Sequence, residues 1–176
     1  MRFTPVSLEG AFVIDLERKE DERGFFARSY CRDEFSAYGL NPSLVQCNIS
    51  FNAKRGTLRG MHYQKAPFAE AKVVRCTQGS LYDVIVDLRP GSPTLRGWYG
   101  VELTAANRRG LYVPEGFAHG FLTLADETEI LYLMSSFYEP SAAAGVRWND
   151  LAFGIVWPGE VALVSERDNG YADFDP

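Results

Sequence analysis

At 176 residues, with 46% hydrophobic and 23% charged side chains, the chain is long enough to bury one core and short for two, so a single domain over 1–176 is expected. Its net charge of −5 excludes a nucleic-acid surface, which needs clustered lysine and arginine, while leaving room for a few cations around one small phosphate. No stretch approaches the roughly 18 apolar residues of a membrane span, and no apolar leader follows Met1.

Cysteine usage agrees with that setting. Cys31, Cys47 and Cys76 are odd in number and form no CxxC pair, which reads as free thiols in a reducing, cytoplasmic compartment rather than a disulfide framework or a zinc site. Aromatic residues reach 14%, which favours a β architecture or a pocket that holds a ring.

In chain order, residues 11–16 are apolar and β-prone, and the charged run 17–24 reads as a solvated turn in which Arg23, before Gly24, either faces water or a ligand. Residues 25–30 read as a second strand. Residues 31–38 form the one clear helix, with Phe35 and Tyr38 three apart and Gly39 as its stop. From there the period is two. In 45–52 it places Gln46, Asn48, Ser50 and Asn52 on one face, either a polar exterior or a hydrogen-bonding wall inside a barrel mouth. Short strands continue at 58–64, 72–77, 81–88, 98–103, 111–113, 121–124 and 130–135, separated by glycine, proline and asparagine turns. Many short strands with so little helix call for a sandwich or a barrel. The tail from 165 is polar and acidic, and it either trails or folds back over the body.

Few residues stand out chemically. His62, in Gly56-Thr57-Leu58-Arg59-Gly60-Met61-His62-Tyr63-Gln64, is one of two histidines. It is either structural or a base able to work near neutrality. Arg59 differs from it in parity, so Gly60 between them must supply a bulge if both are to face one way. Lys72 sits in an apolar strand with Val74 and Cys76 on its face. It is either an edge residue with its amine in water or aimed at an anion. His119 follows a turn; with His62 it invites a metal, but there is no HxH and no third histidine, and none is expected. Tyr132 has Ile130 and Met134 on its face and reads as core packing or as an acid. Asp168 reads as a surface carboxylate or as the partner that orients His62.

Taken together, the ordered blocks are specific. Asp21-Glu22-Arg23-Gly24-Phe25-Phe26, Gln46-Cys47-Asn48, the Gly56–Gln64 stretch, Ala71-Lys72-Val73-Val74-Arg75-Cys76, Tyr82-Asp83-Val84-Ile85-Val86-Asp87-Leu88-Arg89, Pro114-Glu115-Gly116-Phe117-Ala118-His119-Gly120-Phe121 and Gly145-Val146-Arg147-Trp148-Asn149-Asp150 follow one another across nearly the whole chain. This resembles the dTDP-4-dehydrorhamnose 3,5-epimerase family. The resemblance implies an all-β, cupin-like jelly-roll barrel with one or two short helices, a homodimer, no metal and no organic cofactor. The implied substrate is a nucleotide-diphosphate 4-keto-6-deoxy sugar, whose ketone acidifies the hydrogens at C3 and C5. By the same resemblance His62 is the base, Tyr132 the acid on the other face and Asp168 the group that orients the imidazole. Lys72, with His119 beside it, would stabilise the enolate oxygen. Arg23 and Arg59 would hold phosphate, Phe26 and Tyr138 would sandwich the nucleobase, and Gln46 and Asn48 would form the polar wall.

The pattern departs at three positions. Arg28 stands where the family has a glutamate that accepts from the nucleobase, and arginine has donors only. Ala143 stands where a glutamate is usual. Arg167 replaces a lysine and keeps its charge. The changes leave open a CDP- or GDP-linked sugar beside the dTDP sugar, and a single-centre epimerase beside the double one. A ketoisomerase on a similar barrel, a metal-dependent cupin oxygenase and a sugar-nucleotide-binding module without catalysis are the more distant classes.

Overall fold

The period-two stretches become strands that pair almost entirely antiparallel, in a computed structural model that describes residues 1–175. One sheet runs β1 (Arg2–Pro5), β2 (Phe12–Asp15), β10 (Gly110–Val113), β7 (Lys72–Gln78), β12 (Thr128–Met134), β5 (Gln46–Asn52). The other runs β13 (Ala143–Gly145), β6 (Thr57–Gln64), β11 (Phe117–Thr123), β8 (Ser80–Asp87), β9 (Trp98–Thr104), with β14 (Leu163–Val164) parallel beside β6. From β5 to β8, and again from β9 to β13, the chain alternates between the two sheets at each step. That alternation makes the pair a jelly roll. The expected all-β barrel is what forms, with two short helices, α1 (Arg32–Ala37) and α2 (Glu166–Asn169).

Three apolar clusters explain why the sheets hold together. Between them, Val74, Leu111 and Ile130 of the first sheet meet Leu81, Ile85, Phe117 and Phe121 of the second. The outer face of the first sheet is covered by Phe35 of α1, packed on Phe3, Ile14 and Val73. The outer face of the second is covered by Val146 and Phe153, packed on Met61, Val84 and Ala118. Strands covered on both sides lose their polar face, which is why β7 and β11 read as runs rather than alternations. Cys76 lies in the inner core, where burial pushes its thiol up to about 11; Cys31 and Cys47 are also unbridged. Among the described residues no helix is long and apolar enough to cross a membrane.

Several boundaries differ from the sequence pattern. The strand expected over 25–30 shrinks to β4 (Gly24–Phe26), which pairs only with β3 (Lys19–Asp21) in a hairpin exposed at every position. Half of the charged run 17–24 is therefore strand, with its turn at Glu22 and Arg23. β11 begins at Phe117, four residues before the expected 121, because Gly116 completes the turn at φ +79° and Phe117 already pairs with Asp87. α2 is capped by Ser165, whose hydroxyl accepts from the Asp168 N–H at 3.1 Å, and the tail folds back over the second sheet through Phe174 on Phe153.

Candidate active site

The inner faces of the sheets are apolar at one end and polar at the other. On β7 the inward residues run Lys72, Val74, Cys76, and on β12 Ile130, Tyr132, Met134, with Met134 paired to Lys72. β11 contributes His119 and β5 contributes Asn48, opposite Tyr132. The polar wall of β5 therefore faces the barrel interior.

β6 brings in both Arg59 and His62 by breaking its own alternation. His62 pairs with His119 and Arg59 with Phe121, so Gly60 and Met61 together oppose Gly120, a β-bulge. Only glycine fits there: a Cβ on Gly60 would lie 2.5 Å from the Gly120 Cα, and Gly60 holds φ +142°. The two side chains then line one cavity of about 290 Å³ with Lys72, His119, Tyr132 and Asn48. They also border a second recess of about 380 Å³ formed with Ser165, Arg167 and Asp168.

His62, 38% exposed at its side chain, places Nε2 2.7 Å from Asp168 Oδ1. The carboxylate accepts, so the neutral ring carries its proton on Nε2 and leaves Nδ1 basic. Asp168 Oδ2 accepts from the Gly60 N–H at 3.1 Å. Burial pushes the Asp168 carboxyl up, but His62, the Gly60 amide and the Ser165 hydroxyl outweigh it and hold it below the usual carboxylate range. Of the two readings of Asp168, the structure shows the one on the imidazole.

Lys72 is not at an edge. β7 lies between β10 and β12, and the buried ammonium sits 3.0 Å from Glu70 Oε1 and 3.4 Å from the His62 carbonyl. His119 Nε2 lies 2.7 Å from Asp83 Oδ1 on β8, and Asp83 is 0% exposed. Asp83 Oδ2 has no hydrogen-bond partner among the described residues. Burial raises the Asp83 carboxyl, offset in part by His119 and Lys72. The Tyr132 ring stands edge-on to His119, centroids 6.0 Å apart. Burial first and the Asp83 charge second push its phenol up, against a smaller effect of Arg59. Arg59 is aimed by Asn52, whose Oδ1 accepts from Nε at 2.7 Å while its amide donates to the Thr128 carbonyl at 3.2 Å.

On the rim, Gln46 donates to Asn48 at 3.1 Å and accepts from the Tyr138 N–H at 3.2 Å, so these three stand together. Arg167 donates from Nε to the Tyr171 hydroxyl at 2.9 Å. Arg23, Phe26 and Arg28 do not line the His62 cavity. Arg23 is held on the hairpin turn by Asp21 at 2.6 Å, and Arg28 by Glu34 at 2.8 Å. Phe26 and Arg28 border a separate recess of about 200 Å³ with Glu17 and Glu34. Sequence reasoning missed Asp83, Glu70 and Tyr171, and it placed Asn52 on the polar wall without its contact to Arg59. Asp83 carried a usable signal, a lone carboxylate inside the apolar run Leu81–Val86. Glu70 and Tyr171 become visible only once the strands and the tail are placed. Among the described residues, no three histidine, cysteine or acidic side chains converge to hold a metal ion.

A jelly roll whose mouth gathers an oriented imidazole, a phenol, an ammonium and a guanidinium has the equipment of a cupin-like sugar isomerase. The sequence model of the dTDP-4-dehydrorhamnose 3,5-epimerase family matches residues 5–175, and the chain belongs to that family. The Salmonella typhimurium dTDP-4-dehydrorhamnose 3,5-epimerase is 48% identical over 160 residues, covering 89% of this chain and 87% of its own. The Streptomyces niveus dTDP-4-dehydrorhamnose 3-epimerase is 41% identical over 169 residues, covering 96% and 81%. The Bacillus anthracis 3,5-epimerase, solved with TDP and PPi bound, superposes with a TM-score of 0.94 at 39% identity, covering 98% of this chain and 99% of its own.

Proposed function

We propose that this enzyme epimerises C3 and C5 of a dTDP-linked 4-keto-6-deoxyhexose, converting the 6-deoxyglucose form to the rhamnose form by proton removal and return. The observation that carries the mechanism is the placement of His62 and Tyr132. One stands on β6 of the second sheet and the other on β12 of the first, and both line one cavity. A base and an acid on facing walls can take a proton from one face of a ring carbon and give one to the other, which inverts the centre.

His62 Nδ1 accepts the C–H proton, and the electron pair moves into the C4 carbonyl as an enolate. Lys72 donates to that oxygen with His119 beside it; donors aimed this way contribute roughly 3–4 kcal/mol each to the transition state. Tyr132 then gives its proton to carbon as the enolate collapses, and the imidazolium proton returns to the phenolate through the cavity or solvent. Asp168 stabilises the imidazolium and fixes its tautomer, as a triad carboxylate does. Arg59 and Arg167 take the diphosphate, and Gln46, Asn48 and Tyr138 the rim of the nucleoside.

Thymidine is the favoured nucleotide because Arg28 is already paired with Glu34 and mostly exposed, so it need not impose a cytosine or guanine edge. The enzyme works as a homodimer. Arg23 and Phe26 sit on an exposed hairpin away from the His62 cavity of their own chain, where a second copy can receive them. A single-centre reaction is the second reading, favoured by the Streptomyces niveus 3-epimerase.

Incubation with dTDP-4-keto-6-deoxyglucose in deuterated water, followed by NMR, tests this. Loss of both the C3 and the C5 proton signals is expected. Loss of one makes it a single-centre epimerase. Absence of exchange at both carbons removes the proposal.

A further inference from the structure

The tail beyond β14 delivers Arg167 and Asp168 to the site on a helix of four residues, too short to hold a conformation by its own hydrogen bonds. The placement of Asp168 therefore depends on what anchors α2 on either side. Before it stands the two-residue β14. After it stands Tyr171, and three contacts converge there. Its ring lies over Gly145, where a Cβ would come within 2.3 Å of ring carbons Cε2 and Cζ. Gly145 is paired with His62 across β13 and β6. The same ring stands edge-on to the His62 imidazole, centroids 6.1 Å apart, and its hydroxyl accepts from Arg167 Nε.

We infer that Tyr171 is a positioning residue: its ring, seated in the slot left by Gly145, holds α2 where Asp168 reaches both His62 and the Gly60 N–H, and its hydroxyl aims Arg167 into the recess beside His62. The catalytic half of this inference rests on the proposed role of His62 as base; the structural half does not. The tail has further anchors that Tyr171 does not supply. Trp148 donates to Asn169, the Phe174 N–H donates to Asp150 Oδ2 at 2.6 Å, and Arg147 pairs with Asp173. Loss of the Tyr171 ring therefore tilts α2 without releasing the segment, and the variants fold.

The first readout is residue-resolved amide exchange in the ligand-free protein. The Gly60 N–H, held by Asp168 Oδ2, is expected to exchange about tenfold or more faster in Tyr171→Ala and at the wild-type rate in Tyr171→Phe, with β8 amides unchanged in both. The second is steady-state kinetics. Tyr171→Ala lowers kcat by about tenfold or more, the scale of a small misplacement of catalytic groups. Tyr171→Phe keeps kcat and raises KM, because only the hydrogen bond from Arg167 to the hydroxyl is lost. In an Asp168→Asn background the Tyr171→Ala change adds nothing further to kcat, since the residue acts through Asp168. Unchanged Gly60 protection in Tyr171→Ala overturns the inference, as does an equal kcat loss in both backgrounds. If the wild-type protein proves inactive on the sugar nucleotide, the exchange experiment still decides the place of Tyr171, so the two failures are told apart.

Discussion

A histidine has two nitrogens: at His62 the structure pairs one of them with Asp168, and in the proposed mechanism the other meets a C–H bond. Tyr132 is the complement, a phenol that burial keeps protonated and therefore able to donate. His62→Ala and Tyr132→Phe are each expected to lower turnover by about 100-fold or more while leaving dTDP affinity within a few-fold, the usual scale for a positioned acid or base; turnover and calorimetric binding measured side by side decide it. Asp83 makes a different case. Its carboxyl is raised by burial, so its charge favours the fold least at high pH, and stability gained from it is lost as pH rises through its folded pKa. Asn in its place still accepts from His119 Nε2 but carries no charge. The melting temperature of Asp83→Asn relative to wild type should therefore rise as pH is raised, and turnover should fall because Lys72, His119 and Tyr132 surround that carboxyl; a relative stability that falls with rising pH, together with full activity, contradicts this. Of these residues, His62, Lys72 and His119 were legible in the sequence as chemistry-bearing types inside ordered motifs, and Tyr132 and Asp168 as chemistry-bearing types outside them. Their counter-charges were missed: Asp83 signalled itself only as a lone carboxylate in an apolar run, and Glu70 looks ordinary until the strands close over it.

Among the elements, β6 shows what periodicity can and cannot deliver. Alternation located the strand to within a residue and assigned Arg59 and His62 to opposite faces; the bulge at Gly60 and Met61 puts them on one. Gly60→Ala sets a methyl 2.5 Å from backbone, so a melting temperature lower by several degrees and a turnover loss larger than that of either neighbour's conservative variant are expected. A fully stable, fully active Gly60→Ala protein rules out the need for that approach. The Asp87–Thr94 turn is pinned in another way. Burial raises the Asp87 carboxyl, but Arg89, Ser92 and Thr94 donate to it and bring it down to about 2. A depressed carboxyl stabilises the fold above its unfolded value near pH 4 and loses that contribution as pH falls through about 2, here about 2 kcal/mol. Asp87→Asn should cost that much in denaturant unfolding at pH 7 and almost nothing near pH 2. The elements that escaped the sequence were the short ones: β1 and β3, too brief to show a period, and β13, β14 and α2, which take their shape from β6, distant in the chain. The overread strand at 25–30 lacked such a neighbour within the chain.

At the scale of the whole molecule, the first sheet ends at β5 with an unpaired edge, and exposed apolar residues gather there and on the hairpin. Phe51 is 51% exposed and Phe26 73%. An apolar open edge is a template for another strand or another copy, and a twofold contact places the same patch on both copies. In the proposed homodimer this edge is the contact, so Phe51→Asp is expected to shift the protein from dimer to monomer by light scattering. The division of labour across that contact can be tested without breaking it. Arg23→Ala leaves the His62 cavity intact but removes a cation from the hairpin, whereas His62→Ala leaves the hairpin intact but removes the base; each variant alone should be nearly inactive. If the hairpin serves the other copy, a mixed dimer of the two variants has one complete site. Unfolding and refolding them together in equal amounts should then recover about a quarter of wild-type activity, since half the dimers are mixed and each carries one working site of two. If Arg23 serves its own chain, no arrangement of the mixture contains a complete site, and activity stays at the level of the separate variants.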